Sequence, residues 1–95
     1  MRVIWAAPAL RELEAIGDYI ARDNPTRAVT FIQELREKLR FVGQNPLLCQ
    51  LRPDIGDDAR IAVFGRYIIL FRIQGDVVRI ERVVSGYRDL PALQR

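Results

Sequence analysis

"RIAVFGRYIILFRIQGDVVRIERVVSGYRDLP", residues 60–91, holds three runs rich in β-branched and aromatic side chains, separated by two glycine turns. Arg60–Phe64 reads as a strand, Phe64-Gly65-Arg66 as a turn and Tyr67–Ile73 as a second strand. Gly75-Asp76 has glycine first, which suits a tight two-residue hairpin, and Val77–Val84 completes the meander. The middle strand is apolar on both faces, with Tyr67, Ile69, Phe71 and Ile73 on one and Ile68, Leu70 and Arg72 on the other. Such a strand is expected at the centre of a sheet, covered on both sides.

Upstream of the meander the period changes. Arg2–Ala6 reads as a first strand, with Val3 and Trp5 on one face and Ile4 on the other. Pro8 then suits the first turn of a helix. Leu10, Leu13, Ile16 or Gly17, and Ile20 follow at helical spacing. Gly17, lacking a side chain, is expected to let a second helix approach closely. Asp23-Asn24-Pro25 is a break, with Asn24 as cap and Pro25 opening a second helix. Ala28, Phe31, Leu35, Leu39 and Val42 form its stripe, widened by Ile32, and Pro46 ends it near Asn45. So short a connection folds the two helices into an antiparallel hairpin. Pro46–Asp58 reads as a loop.

The expected fold is therefore α+β, with the order β-α-α-β-β-β in one domain spanning residues 1–95. A twisted, mostly antiparallel sheet carries the helical hairpin on one face. The first strand joins the meander by crossing over the hairpin. The hairpin covers only one side of Tyr67–Ile73. The other side is left to the C-terminal tail, through Leu90 and Leu93, or to another chain.

Composition narrows the function. Ninety-five residues, 49% hydrophobic and 28% charged, suit one small globular domain. Cys49 is the only cysteine, so no internal disulfide forms. No secretory pattern opens the chain, and the longest apolar run, Tyr67–Phe71, is too short to cross a bilayer. A reducing cytoplasm and no membrane contact are the expectation. Of fifteen basic residues only Lys38 is a lysine, and the net charge is +3. Arginine forks suit carboxylates and phosphates, although a codon bias towards arginine gives the same count.

Several stretches together resemble the RelE/ParE superfamily of toxins from bacterial type II toxin–antitoxin modules. They are "VIWAAPALRELEAIGDYIARDNPTRAVTF", then Pro46 followed by "LRPDIGDDARIAVFGRYIILFRI", and finally "RIERVVSGYRDL". The likeness spans essentially the whole chain in order, and the Asn-Pro turn after the first helix looks more like the ParE branch. The resemblance implies a small toxin neutralised by a cognate antitoxin, ParD-like or otherwise of ribbon-helix-helix type with an acidic C-terminal tail, in a hetero-oligomer. ParE-type toxins are taken to poison DNA gyrase, whereas RelE-type toxins cut mRNA in the ribosome. A non-toxic, antitoxin-bound corepressor is a third reading.

The residues discriminate between binding and cutting. Metal-free RNA cleavage needs a base, an acid and cations for the phosphate. The chain has no histidine, and Lys38 falls on the second helix. A nuclease here would have to use Tyr87, Arg82, Arg60 and Glu81. Guanidinium is a poor proton acceptor, and Tyr87 would serve only with its phenol pulled down by Arg82 and Arg88. In a regular strand Arg79 and Glu81 share one face and Arg82 lies on the other. Asp54, Asp57 and Asp58, the one carboxylate cluster, read as turn caps, and Cys49 lacks a histidine to activate it. No metal, cofactor or direct nucleic-acid contact is expected, and the chain is not expected to be an enzyme.

Binding residues follow from charge. Between Arg60 and Arg88 six arginines face two acids, Asp76 and Glu81. Arg60, Arg66, Arg72, Arg79 and Arg82, with Ile68 and Leu70, are the expected antitoxin surface. An acidic tail would order on contact, covering the sheet face or the groove beside the helices, or adding a strand to a free edge. Tyr87, Arg88 and Asp89 are the expected target contacts, since tyrosine and arginine are enriched at binding hot spots. The superfamily usually has a histidine just before the closing glycine; Ser85 stands there instead.

Overall fold

The computed structural model describes residues 1–86. Strand β1 (Arg2–Trp5) leads into helices α1 (Ala7–Asp23) and α2 (Pro25–Gln44). A single 3-10 turn (Pro46–Leu48) and a two-residue strand β2 (Gln50–Leu51) follow. Then come β3 (Arg60–Phe64), β4 (Tyr67–Gln74) and β5 (Val77–Ser85). The architecture is α+β: one five-stranded sheet in the order β1-β5-β4-β3-β2, with the hairpin on one face. The meander is antiparallel, while β1 returns over the hairpin to pair parallel with β5.

The local signals act as their chemistry requires. Asn24 serves both helices: its N–H donates to the Ile20 carbonyl at 2.9 Å, and its side-chain oxygen accepts the Arg27 N–H at 3.0 Å. Gly65 and Gly75, with φ of 58° and 60°, hold the first positions of the two hairpin turns, where a side chain would be strained. Gly17 is different from expectation. A Cβ there would meet only the Ile32 side chain at 4.0 Å, ordinary contact, so the helices do not depend on its absence. The glycine that does permit close approach is Gly43. A Cβ there would lie 2.8 Å from the Met1 carbonyl and 3.0 Å from Val3, so the end of α2 can press against the start of β1.

The main core lies between hairpin and sheet. Phe31, Leu35, Leu39 and Val42 of α2 and Ala9 of α1 pack on Ala62, Ile69, Phe71, Val78, Ile80 and Val83. Phe71, at the centre of β4, is completely buried. Among the described residues, the other face of β4 is covered by the chain's own segment 52–59; Leu90 and Leu93, the expected tail cover, lie outside the described residues. Arg52 N–H donates to the Ala59 carbonyl at 2.7 Å, and Ile55 N–H to the Arg52 carbonyl at 3.0 Å. The loop so formed lays Ile55 and Ala59 on Ile61 and Leu70. Pro46–Asp58 is thus more than a connector, contributing the 3-10 turn, an edge strand and a second small core. Ile55 is a single apolar residue among polar ones, so no periodicity announces it.

Strand β5 also departs from regular alternation. Leu70 faces Arg82 and Phe71 faces Ile80, leaving Glu81 without an opposite number on β4. This bulge shifts the phase, so Val83 joins Val78 and Ile80 in the main core.

Candidate partner-binding surfaces

The five arginines expected to form one surface are held in separate places. Arg60 shares the hairpin side of β3 with Ala62 and Phe64, and its guanidinium donates to the Cys49 carbonyl at 2.8 Å. Arg66 stands exposed in the β3–β4 turn, over the Tyr67 ring at 5.7 Å. Arg72 and Arg79 face each other directly on β4 and β5. Such like-charged neighbours repel, and Glu81 lies between them, 3.9 Å from Arg72 and 3.3 Å from Arg79. Asp58 of the covering segment also pairs with Arg72, and a side chain at Gly56 would collide with the same guanidinium.

Arg82 turns to the other layer. Its Nε and Nη2 donate to the Glu12 carboxylate of α1 at 3.0 and 2.7 Å. The same carboxylate accepts the Val83 N–H at 3.0 Å, beside the bulge. Hydrogen bonding to Glu12 raises the Arg82 pKa further. Of the expected apolar contacts, Ile68 is half-buried, whereas Leu70 is only 1% exposed beneath Ile55 and Ala59.

The same geometry separates the three described residues of the set a nuclease would need. Glu81 lies with Arg72 and Arg79 on the outer face, Arg82 is committed to α1, and Arg60 to the Cys49 carbonyl. Tyr87, Arg88 and Asp89 lie outside the described residues. The last described residue, Gly86, donates its N–H to the Arg66 carbonyl at 2.9 Å. Burial pushes the Cys49 thiol above its ordinary value, keeping it protonated and weakly nucleophilic. Asp54 pairs with Arg52, whose fork holds its carboxyl below the ordinary range.

Two features converge at the opposite side of the sheet, at its β1 edge. Ala6 N–H donates to the Ile80 carbonyl at 2.8 Å. By alternation Arg2 and Ile4 also direct their backbone groups towards β5, and those of Val3 and Trp5 point away from the sheet. Beside this free edge runs a groove of about 660 Å³, floored by Val3, Trp5, Leu10, Leu13 and Leu39. Arg36 and Arg40 stand on its rim, and among the described residues no carboxylate lines it. The sequence signals were present: Val3 and Trp5 share a face, and Leu10 begins a helix while remaining 44% exposed. What sequence alone left open was that β1 ends the sheet.

The profile of the family described as "ParE toxin of type II toxin-antitoxin system, parDE" matches residues 3–90. The chain belongs to the ParE toxin family. Among solved structures it is similar to the chromosomal ParDE TA system from P. aeruginosa, with a TM-score of 0.77 and 23% sequence identity. That match covers 90% of this chain and 95% of the other. At this identity the likeness concerns the fold. No curated protein sequence matches the chain. ParE membership agrees with the branch to which the Asn-Pro turn after the first helix pointed.

Proposed function

We propose that this ParE-family toxin acts by protein–protein contact, with DNA gyrase as its target, and is silenced by an acidic antitoxin segment at the β1 edge. The observation that carries the reading is the groove itself. Among the described residues, an apolar floor, a rim of two guanidiniums without a carboxylate, and an unpaired strand edge adjoin one another. An extended acidic peptide satisfies all three: backbone pairing with Val3 and Trp5, apolar side chains on the floor, and carboxylates on Arg36 and Arg40. Trp5 and the arginines are also the residue types that dominate binding energies.

Action by contact, and not by catalysis, is supported by the dispersal of Arg60, Glu81 and Arg82 among separate partners on different faces. Proton transfer needs its groups within hydrogen-bond reach of one reacting atom. The purified chain is expected to inhibit gyrase-catalysed DNA supercoiling and to leave mRNA intact in a translating ribosome preparation. Transcript cleavage with undisturbed supercoiling would replace the reading with a RelE-like nuclease. The cytoplasm, where gyrase works, is the compartment this reading requires.

A further inference from the structure

A second pocket lies at the other end of α2. It holds about 420 Å³ between α1, α2 and the β3–β4 turn. Phe31 makes edge-on contacts with Phe64 and Tyr67, ring centroids 5.3 and 5.6 Å away. Tyr19, 59% exposed, lines the mouth. Two guanidiniums flank these rings. Arg27 lies 5.8 Å over Phe31 and is fixed by Glu34 at 2.9 Å. Arg66 has no ion pair among the described residues. The pocket thus offers an aromatic hollow with one cation already balanced and one available.

We infer that this pocket receives an apolar anchor side chain, flanked by a carboxylate, from the toxin's protein target. The inference rests on the toxin reading above and deepens it. Charge favours such a peptide over a nucleotide: Glu34 cancels one of the two arginines, leaving a single positive charge where a polyphosphate would need several. Location favours the target over the antitoxin. The groove uses α2 from Arg36 to Gln44 and strand β1, whereas this pocket uses Arg27 to Glu34 and the β3–β4 turn. Gly86, bonded to the Arg66 carbonyl, brings the end of β5 to the pocket's rim. Aromatic and arginine side chains around a hollow are what binding hot spots are made of.

The test expresses the full chain without antitoxin, as wild type, Arg66→Glu, Tyr19→Ala and Arg22→Glu, following growth and measuring antitoxin affinity for each purified protein. Arg22 is an exposed cation of α1 that does not line the pocket. Arg66→Glu is expected to lower target affinity about 30-fold, a hot-spot-sized loss, and to relieve growth arrest. Tyr19→Ala acts in the same direction, Arg22→Glu arrests growth like wild type, and all four bind antitoxin equally. Both Arg66 and Tyr19 are exposed, and matching thermal unfolding curves exclude a folding defect. Full toxicity of Arg66→Glu and Tyr19→Ala overturns the inference alone. Antitoxin affinity that falls with Arg66→Glu assigns the pocket to the antitoxin and also overturns it. Wild type that leaves growth untouched removes the toxin reading and the inference together.

Discussion

Reversing both rim charges, Arg36→Glu with Arg40→Glu, is expected to weaken antitoxin binding by about 100-fold or more, since like charges facing across an interface cost several kcal/mol. Both side chains are exposed on α2, and neither enters an ion pair among the described residues. The substitutions therefore take nothing from the fold. They convert a rim that attracts carboxylates into one that repels them, and they leave the aromatic pocket at the other end of α2 unchanged. The doubly substituted toxin should arrest growth even when its antitoxin is co-expressed. Isothermal titration with the purified antitoxin measures the loss. A pair of reversals that binds as tightly as wild type would move the antitoxin off this groove. Raising salt should weaken the wild-type complex, because exposed charges are screened within about 10 Å at 0.1 M.

Glu12→Ala is expected to cost about 2–3 kcal/mol of folding stability, the effect of stranding a half-buried cation and a backbone donor together. Glu12 is the hinge between layers. Its carboxylate takes the Arg82 fork and the Val83 N–H at once, and the two side chains are 22% and 25% exposed. The N–H lies beside the bulge opposite Leu70 and Phe71, and the helix side chain accepts it there. In a chain this small such a loss corresponds to a melting temperature lower by roughly 10–20 °C. Urea unfolding of Glu12→Ala and of the double change Glu12→Leu with Arg82→Leu separates the contributions. The double change should recover part of the loss, since two apolar side chains leave no unpaired charge. A Glu12→Ala protein that unfolds at the wild-type urea concentration would mean the bulge holds without the carboxylate.

These two sites also mark where sequence reasoning stops. Both helices, the Asn24 cap, the two glycine turns and the meander were legible, because each is set by neighbouring residues. The bulge was not, since Val83-Val84 offers an apolar side chain in either phase and hides the slip. The cover over Leu70 was not, since Ile55 stands alone in a polar stretch. Arginine content suggested an acidic partner, but which arginines remain open to one depends on their distant neighbours. Glu12 lies 70 positions from Arg82 in the chain, and Asp58 meets Arg72 only because the covering segment folds back. The groove, too, exists only once β1 has paired with β5 and become an edge. Arg36 and Arg40, on a helix face that reads as solvated, acquire a role from that placement.

Amide hydrogen exchange at Val3 and Trp5, with and without the acidic antitoxin tail, tests the central claim most directly. In the free toxin these two N–H groups face solvent at the sheet edge and should exchange quickly. In the complex they should slow by about 100-fold or more, as paired strand amides do. Unchanged exchange at Val3 and Trp5, with new protection on the outer face around Arg72 and Arg79, would contradict it.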